Sequence, residues 1–244
     1  MAESKLGAFT FAPLGDGVLL IELGDDASDS TAQRVQAVAE HLLRQSPAGV
    51  RDVVPAVCAV ALHYDPLLVE QPREGATPYD ALAQQVTERL ASLDPARRAA
   101  GREVEIPVCY GGAFGEDLAG LAEAHGLSAD EVIALHGMPV YRVQMLGFAP
   151  GFAYLAGLDP RLSTPRRSTP RTRVPGGSVA IGGELTAVYP LDLPGGWHLI
   201  GRSPVRFFDP AAEQPSLLVA GDRVRFVRIS ADEYAALDKG ASWR

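Results

Sequence analysis

Between Met145 and Pro204 the chain reads MLGFAPGFAYL, then STPRRSTPRTRVPGGSVAIGG, TAVYP and PGGWHLIGRSP. Glycine, proline, arginine and small hydroxyl residues crowd together, with apolar residues punctuating them. Turn residues at that density dictate bends and close backbone approaches rather than long regular elements. The charge of the segment is also distinctive. From Pro160 to Ser203 six arginines (161, 166, 167, 171, 173 and 202) face only Glu184 and Asp192, a local +4. The chain as a whole carries −8, so the remainder sums to −12. A basic island in an acidic protein points to a local anion site, not to a general affinity for nucleic acid.

The composition narrows the class. The 244 residues allow one large domain or two small ones, and 47% hydrophobic content is ordinary for a chain that buries a core. Net charge −8 argues against broad binding to nucleic acid or anionic membrane. Cys58 and Cys109 lie in apolar, strand-like runs, VCAVAL and IPVCY, and are expected to be buried small hydrophobes. His41, His63, His125, His136 and His198 show no metal-ligand spacing. MAESKLGAF does not resemble a secretory signal, and no apolar run approaches the ~20 residues a membrane span needs. The expectation is a cytoplasmic, metal-independent protein.

Periodicity orders the elements. VLLIEL at 18–23 reads as a strand, followed by a helix starting near Ser30 or Thr31 with Val35, Val38, Ala39, Leu42 and Leu43 at helical spacing. Two strand candidates, 50–54 and 57–64, are interrupted at Pro55. Thr77 is a good N-cap and Pro78 suits the first position of a second helix, whose buried face is Tyr79, Leu82, Val86 and Leu90. EVEIPVCY at 103–110 reads as another strand. Strand, helix, strand, strand, helix, strand over roughly residues 8–108 is the split βαβ, ferredoxin-like pattern. A boundary is expected between Leu93 and Tyr110, where LDPARRAAGRE reads as surface loop.

Two short helices follow, 116–125 and 128–136, the second with a capping box of Ser128 and Glu131 and a stop at Gly137. Acidic residues dominate there, so the pair is expected to pack, not to bind DNA. From Val140 the pattern is all-β. YRVQML, SVAIG, LTAVYP, WHLIG and VRFVRI, separated by Gly/Pro turns, point to a barrel or sandwich.

Three groups of residues are candidates for chemistry. Arg166, Arg167, Arg171 and Arg173 lie on a segment stiffened by Pro165, Pro170 and Pro175, which suits presenting guanidinium forks to a carboxylate or phosphate. A solvated basic loop, or arginines paired with acids elsewhere, is an equal alternative. In PGGWHLIGRSP, His198 is a candidate acid or base, Arg202 an anion clamp and Ser203 a hydrogen-bond donor. A lone histidine in a strand is more often structural, and Trp197 reads as core or pocket wall. Phe148, Phe152 and Tyr154, alternating with Gly147, Pro150 and Gly151, line a pocket or form a barrel corner. No P-loop, nucleophile elbow or strand-following GxGxxG is present.

The motifs IPVCYGG, LGFAPGFAYL, TPRTRVPGGSVAIGG and YPLDLPGGWHLIGRSP closely resemble the PxpB/KipI family, also called allophanate hydrolase subunit 1 or carboxyltransferase-domain subunit 1. PLGDGVLLIELG, the YDP at 64–66 and GDRVRFVRI extend the resemblance over nearly the whole chain. The resemblance implies an α+β protein with a ferredoxin-like domain at 8–100 and a cyclophilin-like β-barrel at 101–232. It implies a subunit of the prokaryotic ATP-dependent 5-oxoprolinase, which opens 5-oxo-L-proline to L-glutamate. The implied partners are a PxpC-like carboxyltransferase-domain subunit and a PxpA-like LamB/YcsF protein. ATP is the implied co-substrate, at a site shared with a partner. On this reading His198 and Arg202 are catalytic. Arg166, Arg171, Arg173, Ser178 and Ser203 bind the anionic substrate, and Phe148, Phe152, Tyr189 and Trp197 form the pocket. Relatives often carry Gln and Gly around Leu185 and Ala187, and Thr where Ser203 stands. Two other roles remain: inhibition of a histidine kinase, as in some members, and hydrolysis of an allophanate- or urea-type amide. Prolyl isomerase activity rests on fold resemblance alone.

Overall fold

A computed structural model describes residues 6–26, 28–70, 75–91, 93–94 and 101–240. The chain divides into two compact units, Met1–Ala100 and Gly101–Arg244. The expected inter-domain loop runs through residues 95–100, which lie outside the described residues.

The first unit is a four-stranded antiparallel sheet with two helices. Its strands are β1 (Thr10–Pro13), β2 (Val18–Glu22), β3 (Val50–Pro55) and β4 (Ala59–Tyr64), in the order β1-β2-β4-β3. Alternation on β2 and β4 sends Leu19, Ile21, Val60 and Leu62 to the buried face. Helix α1 (Asp29–Arg44) covers them with Val35, Val38 and Leu42, and α2 (Pro78–Leu90) with Leu82, Val86 and Leu90. Ser28 caps α1 through the Thr31 N–H, and Thr77 caps α2 through the Asp80 N–H. The ferredoxin-like element order holds with one substitution. The edge position beside β2 is taken by the N-terminal Thr10–Pro13, not by Glu103–Tyr110, which belongs to the second unit. Leu43 is exposed, because Leu42 already occupies the core-facing position of that turn. Cys58 is half-buried instead of lying in a strand. It sits in the turn between β3 and β4, where its Sγ donates to the Asp26 carbonyl at 3.1 Å.

The second unit is a closed seven-stranded barrel. Its strands are β5 (Glu103–Tyr110), β6 (Tyr141–Leu146), β7 (Ala153–Ala156), β9 (Ser178–Gly182), β10 (Leu185–Val188), β12 (His198–Arg202) and β13 (Arg223–Arg228). They close in the order β10-β7-β6-β13-β5-β12-β9, with β13 parallel to β5 and every other pair antiparallel. The period-2 alternation sends Leu155, Val179, Ile181, Val188 and Ile200 into the barrel core. Helices α3 (Leu118–Ala124) and α4 (Ala129–Gly137) contribute Leu118, Leu121, Val132 and Leu135 to the same core. The capping box of α4 forms as the sequence indicates: Ser128 Oγ accepts from the Glu131 N–H, and Glu131 accepts from the Ser128 N–H.

The outward positions of the same strands are apolar on one side. Tyr154, Ala180, Ala187 and Leu199 form a second cluster with Phe152, Val174, Tyr189 and Trp197. A two-stranded ribbon, β8 (Arg171–Val174) with β11 (Leu193–Gly195), contributes Val174 and Leu193 to that cluster. The arginine-rich loop therefore lies on the outer wall of the barrel, not in its bore.

Candidate functional site

A cavity of about 320 Å³ opens on that outer wall. Its walls are Phe148, Phe152, Tyr154, Tyr189 and Trp197, and its rim is Arg166, Arg167, Pro170 and the Pro194–Gly196 turn. The rings meet edge to face: Phe152 lies 5.2 Å from Tyr189 and 6.0 Å from Trp197, and Phe148 lies 5.3 Å from Phe152. Such perpendicular packing is the preferred aromatic geometry and keeps the walls rigid. Trp197 lies flat against β9 because Gly182 has no side chain; a Cβ there would come within 2.5 Å of the indole. Phe148 holds φ 71°, the one non-glycine residue in the left-handed region among the described residues. For a bulky side chain that conformation costs about 1–3 kcal/mol, and such strain clusters at ligand sites.

The arginines separate by their partners. Asp117 Oδ1 accepts from Arg171 Nη2 at 2.8 Å and from Arg167 Nη1 at 3.2 Å, while its Oδ2 accepts from the Leu199 N–H at 2.7 Å. Glu116 takes Arg171 Nε at 2.8 Å. Gly115 makes this possible by lying directly on the backbone of Ile200; a Cβ there would overlap it at 2.1 Å. Arg161 pairs with Asp159 at 2.7 Å, and Arg173 with Asp192 at 2.5 Å. Arg166 has no carboxylate partner among the described residues. Its guanidinium carbon stands 5.7 Å from the centre of the Trp197 ring, in cation–π range.

The structure thus gathers Arg166, Phe148, Phe152, Tyr189 and Trp197 around one cavity, with Arg171 anchoring the loop beside it. The other candidates lie elsewhere. His198 Nε2 donates to the Pro165 carbonyl at 2.9 Å, tying β12 to the start of the loop. Arg173 is exposed on the ribbon. Arg202 and Ser178 are cross-strand neighbours at the far end of β12 and β9; the Arg202 Nε and the Ser178 Oγ are buried without hydrogen bonds. The Arg202 charge, after the Gly176 N–H and Arg173, helps hold the Asp192 carboxyl below its usual range. Ser203 Oγ accepts from the Val205 N–H at 3.3 Å. Ala187 lies in the apolar cluster, and Leu185 packs against it.

Asp117 and His136 are functional-looking residues that the sequence does not single out. The local signal for Asp117 is an acidic pair directly after YGGAFG. His136 is fully buried on α4, 4.6 Å from the Phe226 ring. Its Nε2 lies 2.9 Å from Thr186 Oγ1, which already donates to the Ala180 carbonyl, so Nε2–H is the donor. Nδ1 then accepts from the Tyr110 hydroxyl at 2.8 Å. Burial pushes the His136 pKa down to about 3, fixing a neutral ring.

The cavity carries no carboxylate, histidine, lysine or thiol among its lining residues. Burial pushes the Tyr154 and Tyr189 hydroxyls up, so both stay protonated. Among the described residues no group of three His, Cys, Asp or Glu is placed to hold a metal ion. The arrangement can bind a small, flat anion, but its lining holds no group that moves a proton near neutral pH.

Residues 9–218 match the carboxyltransferase domain, subdomain C and D, family. The chain belongs to that family. A 5-oxoprolinase subunit of Bacillus subtilis is 42% identical over 91% of this chain and 94% of its own length. The crystal structure of TTHA0988 superposes with a TM-score of 0.76 at 42% identity over 88% of this chain, which spans only 40% of that longer chain. The Kluyveromyces lactis urea amidolyase shares the fold alone, with a TM-score of 0.73 at 18% identity over 95% of this chain and 15% of its own. Within this carboxyltransferase-domain protein two of the quoted motifs and the arginine loop converge on the outer wall. LGFAPGFAYL supplies Phe148 and Phe152, YPLDLPGGWH supplies Tyr189 and Trp197, and the arginine loop supplies Arg166.

Proposed function

We propose that this chain is the corresponding subunit of an ATP-dependent 5-oxoprolinase, hydrolysing 5-oxo-L-proline to L-glutamate together with partner subunits. The observation that carries the reading is near-full-length kinship with the Bacillus subtilis 5-oxoprolinase subunit, at 42% identity over 94% of that relative. The cavity supports it: 320 Å³ is at the small end of ligand pockets, and its apolar walls and cationic rim suit a ring bearing a carboxylate.

Opening a lactam requires activation of the amide and a proton-transfer group. The cavity has no such group, and one unpaired guanidinium does not match a triphosphate. On this reading the ATP site and the acid–base groups are completed together with partners, a PxpC-like carboxyltransferase-domain subunit and a PxpA-like LamB/YcsF protein. Occurrence of this module within the longer TTHA0988 chain supports association with further polypeptide. A cytoplasmic location goes with the same reading.

The test is ADP release on addition of 5-oxoproline, with this chain alone, with each partner, and with both. Release confined to the complete mixture is the expected result. Equal release without this chain would remove it from the enzyme.

A further inference from the structure

The basic segment presents six guanidinium groups in sequence, and the structure leaves one of them facing the aromatic cavity without a carboxylate partner among the described residues. Asp117 and Glu116 neutralise Arg171, and Asp117 also takes Arg167. Asp159 takes Arg161, and Asp192 takes Arg173. Arg202 lies at the far end of β12 and does not line the cavity. Arg166 remains, exposed at the rim and placed over Trp197.

A guanidinium set against an aromatic face keeps its in-plane N–H fork free for a planar acceptor. That fork matches a carboxylate bidentately, and the Phe148, Phe152 and Tyr189 rings that line the cavity beside it are matching surfaces for a flat ring. We propose that Arg166 is the carboxylate anchor of the substrate site and that the aromatic cavity holds the attached five-membered lactam ring. On this assignment this chain selects the anionic ring, while the groups that break the amide bond come from outside the cavity. This rests on the 5-oxoprolinase reading and adds to it a binding mode and an anchoring residue.

Two properties follow. Recognition of the carboxylate is uniform between ground state and transition state, because the carboxylate does not react. Loss of Arg166 should therefore raise KM and leave kcat nearly unchanged. The cavity should also discriminate against 2-pyrrolidinone, the same lactam ring without the carboxylate. A bidentate charged hydrogen bond supports a preference of about tenfold or more.

The experiment is steady-state kinetics of the complete enzyme assembled with wild-type chain, R166Q or R166K, using 5-oxoproline as substrate and 2-pyrrolidinone as competitor. Arg166 is exposed, so folding should survive its replacement, and matching thermal melts check this. The expected result is a KM for 5-oxoproline raised about tenfold or more in R166Q, with kcat within about twofold and partial recovery in R166K. In wild type, 2-pyrrolidinone should compete at least about tenfold more weakly than 5-oxoproline binds. Wild-type turnover with an unchanged KM in R166Q, or equal affinity for the neutral ring, overturns the anchor and leaves the subunit assignment standing. Absence of turnover in the complete wild-type mixture overturns the assignment, and the anchor with it.

Discussion

Asp117 gathers donors from three places: the Arg167 and Arg171 guanidinium groups and the Leu199 main chain. Removing its carboxylate leaves the half-buried Arg171 with Glu116 alone, takes the acceptor from Arg167 and strands an amide of β12. D117A should therefore cost about 2–3 kcal/mol, read as a lowered urea midpoint at unchanged m-value. An unaltered midpoint would mean that the loop is held by its prolines instead. Nothing near the arginine loop in sequence announces this partner. The six arginines are legible as a cluster and Asp159 stands two residues from Arg161, but the sorting of Arg167, Arg171 and Arg173 depends on acids at 116, 117 and 192, which the fold brings beside them. His136 is a second residue whose role the fold creates. Its unfolded imidazole protonates near pH ~6.5, whereas the buried ring takes a proton only at about 3. Between these values the unfolded state binds more protons, so the contribution is complete above pH ~6.5 and is lost as pH falls towards 3, at up to about 1.4 kcal/mol per pH unit. The Tyr110 and Tyr141 hydroxyls beside it stay protonated throughout, since burial raises both. Unfolding free energies of wild type and H136Q, measured from pH 7 to 4, should converge as the pH drops. Parallel curves would show that His136 carries no such linkage.

At the scale of elements, the site depends on where strands are permitted to lack side chains. Gly182 ends β9 beneath Trp197, and a methyl group at 2.5 Å from the indole forces the ring or the strand to move. G182A should displace the main wall of the cavity, destabilise the unit by about 1–3 kcal/mol and weaken binding of 5-oxoproline. Trp197 fluorescence and a ligand titration would check both; wild-type emission with wild-type affinity would show that the wall tolerates the change. Most elements are legible because they carry strong local signals: Thr77–Pro78 opens α2, and Ser128 with Glu131 opens α4. Thr10–Pro13 is not, because TFAP is short and ends in proline. It is a strand only by pairing with β2, from Thr10 opposite Glu22 to Pro13 opposite Leu19. Without that edge strand in view, the four-strand pattern has to borrow Glu103–Tyr110.

The molecule as a whole divides its apolar residues into separate cores, one in the first unit and one within the barrel, with the outer-wall cluster added to the second. No residue is shared between the cluster under α1 and α2 and those of the barrel unit. L62A, deep in the first core, should therefore cost about 2–5 kcal/mol in that unit and leave the KM for 5-oxoproline untouched. A raised KM would show that the cavity relies on the first unit. The division of labour proposed for the enzyme has the same origin: the outer wall recognises, and the reacting groups lie elsewhere. It is tested most directly by glutamate formed from 5-oxoproline in a mixture of ATP and both partners, with this chain absent, then restored. The expected result is no glutamate without the chain and glutamate equal to ADP once it is added. Glutamate formation at the same rate in both mixtures would contradict it.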